Sequence, residues 1–250
     1  NNYRTRHCFD SRLSKNYHKT KDDHIHILQH FKGYFIKTKN SVFDPSTFVM
    51  MDYRLQHKDH TSFTYVLPQS SNIAMIEFTL FDHQLLESNQ YDDYLKKYIS
   101  DILKIDDYEI IEEEFGIIPM TTYPFHKDHT PHITKIGTAG GWVRASSGYQ
   151  FRNAMTNAQK IKSNLLKGRH SNKNIGGRFQ RWMDHIFLSV LDKENERGSE
   201  VFQAIYLNNT IQSTFTFLDE DSSFFQKIKM IISVPWGPFV RAAWRWLAKG

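Results

Sequence analysis

The ten residues from Asn72 to Phe81, NIAMIEFTLF, set Ala74, Ile76, Phe78 and Leu80 against Met75, Glu77, Thr79 and Phe81 in strict alternation. Only an extended strand separates such a pattern into two faces, because successive side chains of a strand point to opposite sides. One face is wholly apolar, whereas the other carries Glu77 between Met75 and Phe81. Shorter runs of the same texture precede it, namely HIHILQHFKGYFIKT, STFVMMDYR and SFTYVLP, separated by turn-rich or charged pieces. Several short strands joined in this way predict an antiparallel sheet from His24 to Phe81.

A sheet with one apolar face needs a cover. YDDYLKKYISDIL places Tyr91, Tyr94, Leu95, Tyr98, Ile99 and Ile102 at helical spacing, which predicts a helix lying across the sheet. YEIIEEEFGIIPM then predicts a further strand ended by Pro119. HITKIGTAGGWVRASSGYQF, from His132 to Phe151, reads as a strand entering a glycine-rich turn, followed by a helix from about Tyr149 to Leu166. KGRHSNKNIGGR, Lys167 to Arg178, reads as a solvated loop, and from Phe179 the pattern is mainly helical, with a last short helix after Pro238. The expected class is α/β in the α+β sense.

Composition narrows the function classes. With 40% hydrophobic residues among 250, the chain can bury one large core or two modest ones. Its 19 Phe, 12 Tyr and 5 Trp suit an apolar pocket or a membrane interface as well as an aromatic core. The net charge of +5 comes from 32 basic and 27 acidic residues, and no nucleic-acid-binding motif accompanies it. Cys8 is the single cysteine, which excludes an intrachain disulfide and fits a reducing cytoplasm. The longest apolar stretch, Met230 to Val240, is interrupted by Ser233, Pro235, Gly237 and Pro238, so a transmembrane helix is not expected. The first residues are basic and polar without the apolar centre of a signal peptide, and the chain does not start with Met, so it was either processed or is a fragment.

Four features could carry chemistry. Gly137, Gly140 and Gly141, with Gly148 further on, could expose backbone N–H groups beside a helix N-terminus, where a phosphate or an electron-rich ring is favoured; Thr138 and Ser146 are nearby donors, although glycines also serve plain tight turns. Glu77, if desolvated by Met75 and Phe81, would favour its neutral form, whereas on an open face it would be an ordinary strand glutamate. Of Glu112, Glu113 and Glu114, at least one should point inward from its strand, unless the run is a charged edge. His126, His129 and His132 lie between Pro124 and Pro131 or just beyond, with no cysteine near, and no metal site is expected. At the C-terminus Arg241, Arg245 and Lys249 recur at four-residue spacing beside Phe239, Val240, Ala243, Trp244 and Leu247. That pattern fits either a helix on anionic lipid or a helix packed on the body of the protein.

In this order QHFKGYFI, FDPSTFVMMDYR, FTYVLP, AMIEFTLF, EEEFGIIPMT and IGTAGGWVRASSGYQF resemble the flavin-dependent lycopene cyclases, firmly from His24 to Phe151. FLDEDS around Asp219 and VPWGPFV resemble the family's C-terminal region more loosely. The resemblance implies a partial FAD/NAD(P)-binding, two-domain flavoprotein fold: a substrate-domain sheet over residues 1–125, the remaining part of the FAD-binding domain over 126–168, and a helical, membrane-associated region over 169–250. The family's N-terminal GxGxxG fingerprint has no counterpart here, so the chain resembles an N-terminally truncated member that is inactive alone.

By the same resemblance Glu77 stands at the first glutamate of the family's F-L-E-E-T motif, the proposed acid, with Phe78 at the second. GTAGG resembles a flavin-contacting turn written GDAAG in relatives, with Thr138 at the aspartate; Gly137, Thr138, Ala139, Gly140, Gly141, Ser146 and Gly148 become the cofactor-binding set. Met75, Phe81, Glu113 and Glu114 become substrate-binding candidates. The implied activity is that of a lycopene β-cyclase, a non-redox closure of the ψ-ends of lycopene to β-ionone rings. It would use reduced FAD, with NAD(P)H as reductant, on a linear carotenoid at the cytoplasmic face of a membrane. A related isoprenoid reductase or hydroxylase, and a non-catalytic membrane-surface fragment, are the alternatives.

Overall fold

The computed structural model describes residues 4–175, 178–218 and 222–248. In chain order the elements are β1 (Cys8–Asp10), α1 (Lys15–Thr20), β2 (His26–Thr38), β3 (Val49–Asp52), β4 (Ser62–Pro68), β5 (Ile73–Asp82), α2 (Ser88–Lys97), β6 (Tyr108–Thr121), β7 (Ile133–Lys135), α3 (Phe151–Leu166), α4 (Arg178–Lys193), α5 (Gly198–Leu207), α6 (Ile211–Leu218), α7 (Phe224–Ile232) and α8 (Trp236–Leu247). They form two compact units, one of Ile27–Pro119 with Glu194–Ser199, the other of Asn1–His26, Met120–Lys193 and Glu200–Gly250. These units cut the chain differently from the three consecutive segments expected from sequence, because β1 pairs with the distant β7 rather than with the sheet.

In the first unit the strands lie in the order β3-β4-β5-β2-β6. β5 pairs antiparallel with β2, placing Glu77 opposite Gly33, and with β4, placing Glu77 opposite Tyr65. The alternation along β5 has the expected result. Ala74, Ile76, Phe78 and Leu80 join Tyr34, Ile36 and Val66 in a core closed by Tyr91 and Leu95 of α2 and by Tyr98 and Ile99 of the π-helical turn that continues it. Each large side chain so buried contributes about 1.5–3 kcal/mol, which holds α2 across the sheet. Tyr94 stacks on Phe78 with ring centres 4.4 Å apart. At the edge of this core Asp92 of α2 accepts from Lys32 Nζ and from the Tyr34 hydroxyl.

Two glycines set how β2 meets β6. A Cβ at Gly116 would fall 2.2 Å from the Phe31 ring, and one at Gly33 would fall 3.0 Å from Cγ of Glu114. Phe31 therefore lies over Gly116 and Glu114 over Gly33, so the two strands run in opposite senses. β6 continues through Pro119 to Thr121 instead of stopping at the proline. As the last strand in the order it has a free side, where the missing N–H costs no ladder bond.

In the second unit β1 and β7 are parallel, with Asp10 beside Lys135. Lys135 Nζ donates to Asp10 at 2.9 Å, and Arg12 Nε donates to the same carboxylate at 2.9 Å. These donors hold Asp10 well below the usual carboxylate range, the Arg12 hydrogen bond contributing most. Trp142, Ile161 and Ile175 form one small core, whereas Ile186, Val190, Val201, Val234 and Ala242 form another between the C-terminal helices. α8 begins at Trp236 rather than after Pro238, since Pro238 falls within the first turn, where an N–H is not needed. Asp219 to Asp221 and Lys249, singled out in the sequence, lie outside the described residues.

Candidate functional site

The face of the first unit's sheet turned away from α2 carries Phe63 and Tyr65 from β4, Met75, Glu77, Thr79 and Phe81 from β5, and Phe31 and Gly33 from β2, as the strand registers require. Phe63 and Phe81 are buried and their ring centres lie 6.1 Å apart, while Tyr65 meets Phe63 edge-on at 5.0 Å. Within this aromatic setting Glu77 is only 8% exposed. Thr79, fully buried one pair further along, donates its hydroxyl hydrogen to Glu77 Oε1 at 2.7 Å.

Burial pushes the Glu77 carboxyl up to about 8, with the hydrogen bond and negative charge of Glu114 acting in the same direction and the Thr79 hydroxyl acting against them. A carboxyl in that range is neutral at pH 7 and able to donate a proton. Among the candidate residues, β5 keeps Met75 and Phe81 on the face of Glu77, as the alternation predicts. The acidic run of β6 is divided. Glu114 comes to Glu77 over Gly33, whereas Glu113 turns to the α2 side and pairs with Lys32 at 3.1 Å. Gly33 was not singled out by sequence reasoning; the signal was available, because an isolated glycine inside a strand marks a bulge or a close approach.

The glycine turn of the second unit departs from its expected form. Gly137–Gly140 make one turn of 3-10 helix, and α3 starts only at Phe151. The amides of Gly140, Gly141 and Trp142 are bonded to the carbonyls of Ile136, Thr138 and Gly137. They are therefore spent within the turn and are not donors to a ligand. Gly140 serves packing, since a Cβ there would lie 2.5 Å from the Lys135 carbonyl oxygen. The leading amides of Gly137, Thr138 and Ala139 are those that a helical turn leaves without an internal acceptor.

Ser146, expected as a cofactor donor, is committed elsewhere. Its hydroxyl donates to Asp184 Oδ1 at 2.6 Å, beside buried Arg144, which also donates to the carbonyls of Phe217 at 2.7 Å and Leu218 at 3.1 Å. The neighbouring Ser147 Oγ and the Trp142 indole nitrogen are buried without a hydrogen-bond partner. Sequence reasoning could not separate two adjacent serines, because the aspartate that claims one of them comes from α4.

His129 accepts from the Lys135 amide at 3.0 Å, and His132 lies 3.3 Å from the Arg6 carbonyl, so each histidine has a local use. On α7 and α8 Phe225, Ile228, Ile232, Trp236, Val240, Trp244 and Leu247 are exposed, while Phe239 and Ala243 pack inward. The Trp236 indole donates to the Ile232 carbonyl at 3.4 Å, which joins the two exposed rows. Among the described residues no helix is long and apolar enough to cross a membrane.

The family model described as "Lycopene cyclase protein" matches residues 2–243. None of the curated proteins matches the chain. Among solved structures, a geranylgeranyl bacteriochlorophyll reductase-like protein from Thermoplasma acidophilum is similar over 86% of this chain and 51% of its own, at 13% identity and a TM-score of 0.41. A flavin-dependent brominase is similar over 99% of this chain and 64% of its own, at 11% identity and a TM-score of 0.43. The chain thus spans less than two-thirds of the length of either structure.

Proposed function

Because the chain belongs to the lycopene cyclase family, we propose that it is part of a lycopene β-cyclase whose proton donor is Glu77. The supporting observation is a carboxyl buried on an aromatic sheet face, where burial pushes it toward its neutral form. Protonating an alkene requires a neutral acid in a setting that does not solvate its proton. Glu77 gives its proton to the terminal double bond of a linear carotenoid. An internal double bond then closes on the cation, and loss of a ring proton leaves the β-ionone ring.

Phe63, Phe81 and Tyr65 keep water from that cation, which would otherwise be trapped as an alcohol, and their π-faces favour positive charge. Met75 extends the apolar surface along the substrate. The family implies reduced FAD, with NAD(P)H as its reductant. The groups suited to hold it are the leading amides of Gly137, Thr138 and Ala139 and the unpartnered Ser147 hydroxyl and Trp142 indole. When bound, reduced flavin would supply an electron-rich ring. The exposed apolar rows of α7 and α8 suit a peripheral site on a membrane, where a carotenoid is stored.

Expression of the complete gene product in lycopene-accumulating cells tests this reading. Conversion of lycopene to a cyclic carotenoid of identical mass is expected, and Glu77→Gln should leave lycopene unchanged. Persistence of lycopene with the wild type overturns the proposal, and a product of different mass points instead to a reductase or hydroxylase.

A further inference from the structure

Neighbouring strands of a sheet lie about 4.8 Å apart, so side chains two strands apart are separated by nearly 10 Å and normally have a third side chain between them. Glu77 on β5 and Glu114 on β6 are so related, with β2 between them. The residue of β2 opposite Glu77 is Gly33, which has no side chain to interpose. The side chain of Glu114 uses that space. Its Cγ and Oε1 would stand 3.0 Å and 3.1 Å from a Cβ at Gly33, which carries its carboxyl across the position opposite Glu77.

We infer that Glu114 is a positioning residue for Glu77: across the gap at Gly33 the two carboxyls hold a single proton between them, and the same pair takes back the proton that ring closure releases. The inference rests on the cyclase reading for its chemistry, but the pair itself is a property of the sheet. Thr79 fixes Oε1 of Glu77. Among the described residues the other titratable side chains toward this face include Tyr65 of β4, opposite Glu77, Tyr53, whose ring lies 6.0 Å from that of Phe63, Glu112, two residues before Glu114 on β6, and Lys37, which lies two pairs along β2 from Gly33.

The proton count closes without an external reagent. On donation the O–H bond of the pair breaks and a C–H bond forms at the terminal alkene carbon, using its π electrons. The internal alkene supplies the electron pair of the new C–C bond. A ring C–H bond then breaks, its electrons become the ring double bond, and its proton returns to the pair. Between these steps both carboxyls are ionised at close range and away from water, which makes the pair a far better base than a lone carboxylate. Donor and base are thus one unit, so no second residue is needed for proton removal.

The test is a pH titration of the complete protein followed by carboxyl infrared bands with 13C-labelled glutamate, together with the pH dependence of cyclisation. The wild type should retain one protonated buried carboxyl at pH 7, and Glu77→Gln should remove its band. In Glu114→Gln the midpoint of Glu77 should fall by about one pH unit, since the like charge is gone, and the alkaline limb of cyclisation should move with it. Gly33→Ala, which crowds Glu114 while keeping both acids, should shift the midpoint in the same direction. Both carboxyls of the wild type titrating together near the ordinary glutamate value, or a Glu77 midpoint that Glu114→Gln leaves in place, overturns the pair. Absence of cyclisation by the wild type would instead remove the parent reading, and the infrared titration would still decide whether the proton is shared.

Discussion

Replacing Glu77 by glutamine converts the buried acid into a permanently neutral group of the same shape, and its effect on stability follows from proton linkage. The folded chain raises this carboxyl from its ordinary 4.5 to about 8, whereas the unfolded chain releases the proton near the ordinary value. Between those pH values the folded state binds the extra proton, so wild-type stability falls as pH rises from about 4.5 to about 8 and levels off above. Fully expressed, the interval is worth about 5 kcal/mol, a large share of the roughly 5–15 kcal/mol that holds a typical domain folded. From pH 5.5 to 7.5 the wild type should lose about 2–3 kcal/mol relative to Glu77→Gln. For a chain of this size that corresponds to a gap in Tm widening by about 5–10 °C. Thermal melts of both proteins across this range, monitored by circular dichroism, measure it. Parallel dependences on pH would mean that Glu77 titrates alike in the folded and unfolded states, and the proposed acid would be refuted.

Removing Arg144 as Arg144→Met should cost about 3–5 kcal/mol in urea denaturation, because Asp184 and two carbonyls lose their buried donor; a loss below about 1 kcal/mol would show that water replaces it. Gly140→Ala, whose Cβ would meet the Lys135 carbonyl oxygen at 2.5 Å, should prevent stable folding of the turn, whereas Gly168→Ala meets nothing within 4 Å and should cost only the roughly 1–2 kcal/mol of its left-handed backbone. Equal melting temperatures for these two variants would contradict the steric account. The double substitution Trp236→Ser with Trp244→Ser should weaken sedimentation with anionic vesicles about tenfold and leave the melting temperature unchanged, since both side chains are exposed; unaltered vesicle binding would exclude this face as the membrane contact.

What the sequence revealed was set by the range of the interactions. Alternation in β5 and helical spacing from Tyr91 to Ile102 are local patterns, and they were enough to place Glu77 on the face away from α2. The alternation in β6 required that Glu113 and Glu114 part company, but not which of them would meet Glu77. That depends on how β2 and β6 align, which is fixed by the fits of Phe31 to Gly116 and Glu114 to Gly33. β1 escaped notice because three residues paired with a strand more than a hundred positions away leave no periodic trace. Ser146 and Ser147 differ only through Asp184, another long-range partner.

The paired glycines of β2 and β6 bear on more than the acid. At one level the ring of Phe31 projects outward over the bare backbone at Gly116; at the next the carboxylate arm of Glu114 projects back over Gly33. The strands therefore mesh like two keys cut to each other, each protrusion facing a vacancy on its neighbour. Sliding β6 by two residues would keep every side chain on its proper side, the usual escape for a slipped strand, yet it would drive a phenylalanine of β2 into Glu114, Phe31 in one direction and Phe35 in the other. A strand at the rim of a sheet is thereby restricted to one alignment during folding, and the alignment that survives is the one that brings the two acids together.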